Sequence, residues 1–245
     1  MVPDPTRYTA PTSPPWPPGS LQLLLGEQEW QRLVQPPATL CELRPGEKLI
    51  EQGATTDDVF LILNGFALVT HDEPGRGTVA LAIRGRGDVV GEMAGWTKQP
   101  RSASVRACGP ISVWSMPYRQ FAGPQASYRL ARAMVTIVAR KLSSTDRWLL
   151  DSRLRPALAR TARVLLELAT RYGGDQQDGR PIGVPLAQAD LATIAGLSLS
   201  SIERSLKELR DAAILGAGDR NPYLTVLDIN KLGELARRPQ PKEAQ

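Results

Sequence analysis

Glycine and proline divide this chain into three stretches with different rules. Seven prolines fall in the first twenty residues, glycines recur at short intervals between Ala38 and Met116, and neither residue occurs from Tyr128 to Leu150. Proline fixes φ and removes a backbone donor, so residues 1–20 are expected to form neither helix nor sheet ladder and to remain a disordered arm. Leu21 to Leu33 carries leucines on a short helical pattern, with Trp30 and Leu33 as anchors. The runs Val59–Leu63, Ala67–Val69, Val79–Ile83 and Ile111–Trp114 are short, apolar and separated by Gly46, Gly53, Gly65, Gly75, Gly77, Gly85 and Gly87. Strands with glycine turns at that spacing predict a small antiparallel roll or barrel.

The stretch free of glycine and proline predicts one long helix over Tyr128–Leu150. Its apolar residues form two stripes. Tyr128, Ala131, Val135, Val138, Leu142, Thr145 and Leu149 alternate spacings of three and four, the a/d seam of a parallel helix pair. Leu130, Met134 and Ile137 lie on a neighbouring face suited to packing on the strands. A helix with two apolar faces needs two surfaces, and one domain covers only one of them, which predicts a homodimer. A second domain is expected from Asp151, with Pro156 in the first turn of a helix reaching Tyr172. The predicted class is therefore α+β: a disordered arm over 1–20, a roll over 21–126, a dimerisation helix and hinge over 127–150, and a helical domain over 151–245.

Composition narrows the chemistry. The formal charge of +5 and pI of about 9.5 favour an anionic partner, nucleic acid first. Ten Lys or Arg against three Asp or Glu from Tyr128 to Arg171 suit phosphate contacts, although a solvated face has the same composition. Cys41 and Cys108 are the only cysteines, too few for a disulfide scaffold or a four-cysteine metal or iron–sulfur site. His71 is the sole histidine and reads as a solvated strand-end residue. Without a Ser-His pair, a metal cluster or an acid–base dyad beyond Glu92, the chain is expected to hold no catalytic residue, metal or cofactor and not to be an enzyme. No apolar run approaches the roughly 20 residues of a membrane span. Asp4 and the prolines occupy the place where a signal peptide is basic and apolar. A cytoplasmic protein without membrane contact is expected.

Residues 91 to 103 place Gly91 and Glu92 before Arg101, Ser102 and Ala103, with the carboxylate nine residues ahead of the arginine. This is the outline of a cradle for a ribose cyclic phosphate: a guanidinium and a hydroxyl for the anionic oxygens, free backbone amides, and a carboxylate for the 2′-hydroxyl. By spacing alone it is also a surface loop in which Arg101 pairs with Glu92. The residues resemble the phosphate-binding cassette of cyclic nucleotide-binding domains, and the turn glycines from Arg44 to Gly53, at Asn64-Gly65 and from Gly85 to Asp88 extend that resemblance over about eighty residues. The resemblance implies that Glu92 binds the 2′-hydroxyl, that Arg101 pairs with the phosphate, and that Ser102 and the Ala103 amide add hydrogen bonds. Gly91 admits close approach, and Met93 and Ala94 open a short helix whose amides face the anion. It also places the purine against Thr145 and Asp146, where a carboxylate matches the N1–H and N2–H donors of guanine as well as the amino group of adenine. Cyclic AMP and cyclic GMP both remain open. Gly95-Trp96 replaces an aliphatic pair common in the cassette, and Trp96 is expected to pack on the roll.

In Leu191–Ile202, Ala192 stands four before Gly196 and Ile202 six after it, the spacing two helices need to cross around a tight turn. That fits a helix-turn-helix and, equally, a plain helical hairpin. Ser198 is placed to cap the second helix, predicted over Leu199–Asp211, and Tyr223–Val226 reads as part of a wing. Following a nucleotide roll and a dimer helix, the arrangement resembles the Crp/Fnr family of bacterial regulators. The resemblance implies an allosteric transcription regulator that binds double-stranded DNA and works with RNA polymerase. The DNA-facing residues would be Ser198, Leu199, Ser200, Ser201, Arg204 and Lys207. Leu199-Ser200-Ser201 stands where the family often has Arg-Glu-Thr, so an apolar contact to a thymine methyl replaces bidentate reading of guanine and the family's familiar operator is not expected. A regulator that binds DNA without a cyclic mononucleotide, or answers a cyclic dinucleotide, is the alternative.

Overall fold

The computed structural model describes residues 16–75, 77–123, 127–172, 182–185, 187–216 and 223–237. They fall into two compact units, one within residues 1–67 and 84–140 and the other within 68–83 and 141–245.

Two short helices, α1 (Leu21–Leu25) and α2 (Glu27–Leu33), precede the strands β1 (Thr39–Leu43), β2 (Lys48–Ile50), β3 (Val59–Asn64), β4 (Phe66–Glu73), β5 (Gly77–Gly85) and β6 (Val89–Val90). The helix α3 (Glu92–Thr97), strands β7 (Ser104–Ala107) and β8 (Ile111–Met116), and helix α4 (Tyr118–Ala122) lead into the long helix α5 (Tyr128–Leu154). The strands form two four-stranded sheets, ordered β1-β8-β3-β6 and β2-β7-β4-β5. Pairing of β8 with β1 and with β3 is antiparallel. The register Val59↔Met116 and Leu61↔Trp114 puts these four side chains on one face. That face meets Leu21, Leu25, Trp30, Leu33, Phe121, Leu130, Met134 and Ile137 in one apolar core. The stripe of α5 expected to pack on the strands is thus buried there, while Tyr128, Val135 and Leu142 of the other stripe are 79%, 71% and 64% exposed.

Three expectations are corrected. The segment expected to be one helix over Leu21–Leu33 is two, because Gly26 takes φ 76 and ends the first helix. The end of the arm is packed from residue 16 onward. Trp16 lies 5.5 Å from Trp30 between ring centroids, and the Arg86 guanidinium sits 4.2 Å over its ring. Arg140 donates to the carbonyls of Pro18, at 3.2 Å, and Gly19. Proline denies this segment a ladder, but its carbonyls still accept and its tryptophan still buries. Residues 1–15 lie outside those described. Finally, α5 continues past Asp151 to Leu154 because no helix breaker precedes Pro156.

In the second unit, α6 (Ala157–Tyr172) packs against β9 (Ile182–Pro185), α7 (Gln188–Ala195), α8 (Leu199–Asp211) and α9 (Ile229–Ala236). The wing strand β10 (Tyr223–Val226) pairs antiparallel with β9, in the register Tyr223↔Pro185 to Val226↔Ile182. Leu215 bridges to Val226. The wing therefore gains a partner, β9, that the sequence did not reveal. Leu165, Leu191, Ile202, Leu206 and Leu209 are fully buried, so α8 turns one apolar face inward.

Candidate functional site

Arg101 lies in the link between α3 and β7, and its main chain is stitched to residues 53 and 54. Its N–H donates to Ala54 O and its carbonyl accepts from Gly53 N, both at 2.8 Å. The side chain runs inward and is only 4% exposed. Its Nη1 donates to the Gly91 carbonyl at 2.6 Å, and its Nη2 to the Asp58 carbonyl at 2.8 Å. Both Nε and Nη2 reach the Thr56 hydroxyl at 3.3 Å. Burial lowers the guanidinium pKa below its ordinary value, and the charges of Asp58, Asp57 and Glu92 oppose that shift. A cation kept this far from water persists because carbonyls and carboxylates surround it.

Gly91 is required on two grounds. Its φ of 88 is left-handed, and a Cβ there would fall 2.6 Å from Asp58 O and 2.8 Å from Arg101 Nη1. Glu92 follows at the start of α3 and is buried, as is Ala94, while Met93 and Ser102 are exposed and Ala103 is half-buried. The structure thus brings Gly91, Glu92 and Arg101 together at one point. The loop reading places Arg101 at the surface, whereas the arginine is interior and its hydrogen bonds reach two separate chain segments, residues 53–58 and residue 91. Thr145 and Asp146 belong to α5, but their side chains lie outside those described.

Sequence reasoning missed Thr56 and Asp58, which precede the arginine by more than forty positions, and also Ser104, whose buried hydroxyl accepts from Gln52 N at 3.0 Å. Trp96 was misplaced. It is 38% exposed and, with Tyr118, Tyr128 and Met134, lines a cavity of about 680 Å³. The buried side of α3 is taken by Gly95, where any Cβ would collide with the Tyr118 ring, so the indole is turned outward.

The cradle fits a cyclic phosphate in its chemistry. The hydrogen bonds above engage four of the five guanidinium N–H groups and leave one on Nη1. An anionic oxygen accepts about twice as strongly as a carbonyl, so it competes for the rest.

The second site is exposed. Gly196 ends α7 in the left-handed conformation at φ 60, and the Leu197 N–H returns to Ala192 O at 3.0 Å. Ser198 then caps α8, accepting from Ser201 N at 3.2 Å. Behind the cap, Ile202, Leu206 and Leu209 are buried, which leaves Ser198, Leu199, Ser200, Arg204 and Lys207 outward and Ser201 half-buried. Leu199 is 48% exposed, an apolar residue presented at the tip of a capped helix.

A buried cation cradle in a β-roll, followed by a helical unit presenting a capped helix, is the domain combination of a DNA-binding transcription regulator that carries a cyclic nucleotide-binding domain. Residues 40–124 match the cyclic nucleotide-binding domain and residues 159–235 the Crp-like helix-turn-helix domain. The chain belongs to the Crp/Fnr family of transcription regulators, not to a family of enzymes. It is 24% identical over 168 residues to the CRP-like cAMP-activated global transcriptional regulator of Mycobacterium tuberculosis, covering 66% of this chain and 73% of the relative. It is 27% identical over 173 residues to the anaerobic regulatory protein of Bacillus subtilis, covering 68% and 71%. In fold it is similar to FixK2 from Bradyrhizobium japonicum, with TM-score 0.69 and 22% identity over 81% of this chain and 96% of that one. It is likewise similar to the c-di-GMP responsive global regulator CLP of Xanthomonas campestris, with TM-score 0.64 and 18% identity over 82% and 99%. Among the described residues no helix is long and apolar enough to cross a membrane.

Proposed function

We propose that this protein is a homodimeric, cytoplasmic transcription regulator whose affinity for double-stranded DNA is set by a cyclic mononucleotide. The observation that carries this reading is the convergence of Arg101, Glu92 and Gly91 in a buried cradle. The phosphate pairs with Arg101, Ser102 and the Ala103 amide, and the amides at Met93 and Ala94 face the same anion. The ribose 2′-hydroxyl donates to Glu92. Thr145 and Asp146 of α5 meet the purine, where a carboxylate accepts from the adenine amino group but is better matched to the paired N1–H and N2–H donors of guanine. Dimerisation is supported by Tyr128, Val135 and Leu142, seven residues apart and exposed along one line of α5. Ser198, Leu199, Ser200, Ser201, Arg204 and Lys207 meet the DNA, and RNA polymerase is the downstream partner. Switching draws only on the ligand's differential affinity for two arrangements, on the order of 5 kcal/mol for a full shift.

Titration of the purified protein with cyclic AMP, cyclic GMP and a cyclic dinucleotide, followed by calorimetry, tests the reading. Saturable heat with one cyclic mononucleotide, absent in Arg101→Leu, is expected. Equal affinity in the wild type and the variant would remove Arg101 from the site. A second reading rests on four of the five Arg101 N–H groups being engaged already by its own chain: a regulator that binds DNA without a cyclic mononucleotide, or that answers a cyclic dinucleotide. Operator affinity indifferent to both mononucleotides selects that reading.

A further inference from the structure

Arg160 stands in the first turn of α6, the helix beneath the helix-turn-helix. Its Nη2 donates to the carbonyl of Ala195, the last residue of α7, and to that of Gly196 at 2.9 Å. These two carbonyls are the negative end of α7 and the corner of the turn, where a helix leaves acceptors without intrahelical partners. The turn Ala195–Ser198 carries no charged side chain, so its main-chain oxygens are what a cation finds there. Gly196 serves the same contact: it holds φ 60, and a Cβ on it would fall 2.7 Å from Arg160 Nη2. Burial lowers the guanidinium pKa, as expected of a charge removed from water to reach two acceptors.

The turn is thereby held from both sides. Arg160 fixes the exit of α7, and Ser198 fixes the entry to α8. The residues that follow are Leu199 and Ser200, at the outward tip of α8. Both bonds leave the two N–H groups of one nitrogen, Nη2, whose directions the guanidinium plane fixes, whereas an ammonium on a flexible stem acts as a point charge. We infer that Arg160 is a positioning residue for DNA recognition, setting the direction in which α8 leaves the turn without itself contacting base or phosphate. This rests on the DNA-binding reading and adds to it a residue that lies behind the contact face.

The test uses the full-length protein, a duplex selected by the wild type from a random pool, and a shuffled duplex of equal length and composition. Both are bound over a series of salt concentrations. Arg160→Leu is expected to lower the ratio of selected to shuffled affinity by about 10-fold or more, comparable to spoiling a base contact, while the slope of log K against log salt stays at the wild-type value. Arg160→Lys keeps the charge and the stem and is expected to lower the ratio by less, again with the slope unchanged. It decides the matter should the leucine variant fail to fold by circular dichroism: a wild-type ratio in Arg160→Lys would then overturn the inference. A slope shallower by about one with the ratio intact would make Arg160 a phosphate contact and overturn it as well. So would a leucine variant equal to the wild type in both readings. A wild type that enriches no duplex would overturn the DNA-binding reading and this inference together, whereas the other outcomes touch Arg160 alone.

Discussion

The cradle around Arg101 and the outward face of α8 solve opposite problems. In the cradle the functional groups are interior, and the chain's own carbonyls from Gly91 and Asp58 hold the guanidinium in place. On α8 the groups proposed to contact DNA stand in solvent, and their placement comes from what lies beneath them: Ile202, Leu206 and Leu209, all fully buried, with Ser198 at the cap. The difference teaches where function and stability share residues. They coincide at the cradle and separate on the helix, so substitutions in the two places should differ in kind.

Arg101→Leu should produce the largest combined effect. It leaves the Gly91 and Asp58 carbonyls without a donor in a buried setting, at about 3 kcal/mol, and it removes the phosphate's partner, lowering cyclic nucleotide affinity by about 100-fold or more. Urea unfolding reads the first loss and calorimetry the second. If stability fell while affinity held, the cradle would be structural only and the contrast with α8 would be broken.

Next comes a pair on α8 itself. Ile202→Ala empties a fully buried site and should cost about 3 kcal/mol, read by urea unfolding. Leu199→Ala, three residues earlier and 48% exposed, should change stability by less than about 0.5 kcal/mol yet weaken binding to a selected duplex. Equal stability losses would mean that face and core are not separate on this helix. Ser198→Ala is intermediate. Loss of the bond from Ser201 N should cost about 1 kcal/mol of stability and lower operator affinity with it, because the cap both ends the turn and starts the reading helix.

The same contrast explains what could be read from the sequence. The cassette and the helix-turn-helix were legible because their defining residues lie within a dozen positions of one another, so spacing carries the geometry. The stripe of α5 that packs on the strands was legible for the same reason, and Leu130, Met134 and Ile137 are buried as their spacing requires. What escaped depends on distance along the chain. Thr56 and Asp58 meet Arg101 from 45 and 43 positions away. The strand β9 is four residues long, holds Gly183 and Pro185, and finds β10 only after α7 and α8 have intervened. Arg160 looked like one more charge on a basic helix until the turn 35 positions later was folded onto it. Trp16 escaped for a different reason: prolines rule out regular structure around it but do not keep an indole from Trp30 and Arg86.

The smallest effect concerns charge and sharpens the comparison through pH. Asp228 caps α9, accepting from Lys231 N at 2.9 Å, with the Lys231 ammonium 3.3 Å from its other oxygen. That backbone hydrogen bond is the main reason the carboxyl titrates below its ordinary value; partial burial opposes it, and Lys231's charge and the Asn230 amide add to it. A folded-state pKa below the unfolded one, about 3.9, means that the stabilisation is complete above that pH and is lost as pH falls through the folded value. Asp228→Asn retains an acceptor oxygen and removes the charge, so the variant should melt slightly below the wild type at pH 7, and the two should converge as pH drops below about 4. Arg101, a guanidinium, keeps its proton across that whole range, so no corresponding convergence is expected between wild type and Arg101→Leu. A gap between wild type and Asp228→Asn that stayed constant from pH 7 downward would show that ionisation of the carboxyl contributes nothing to this cap.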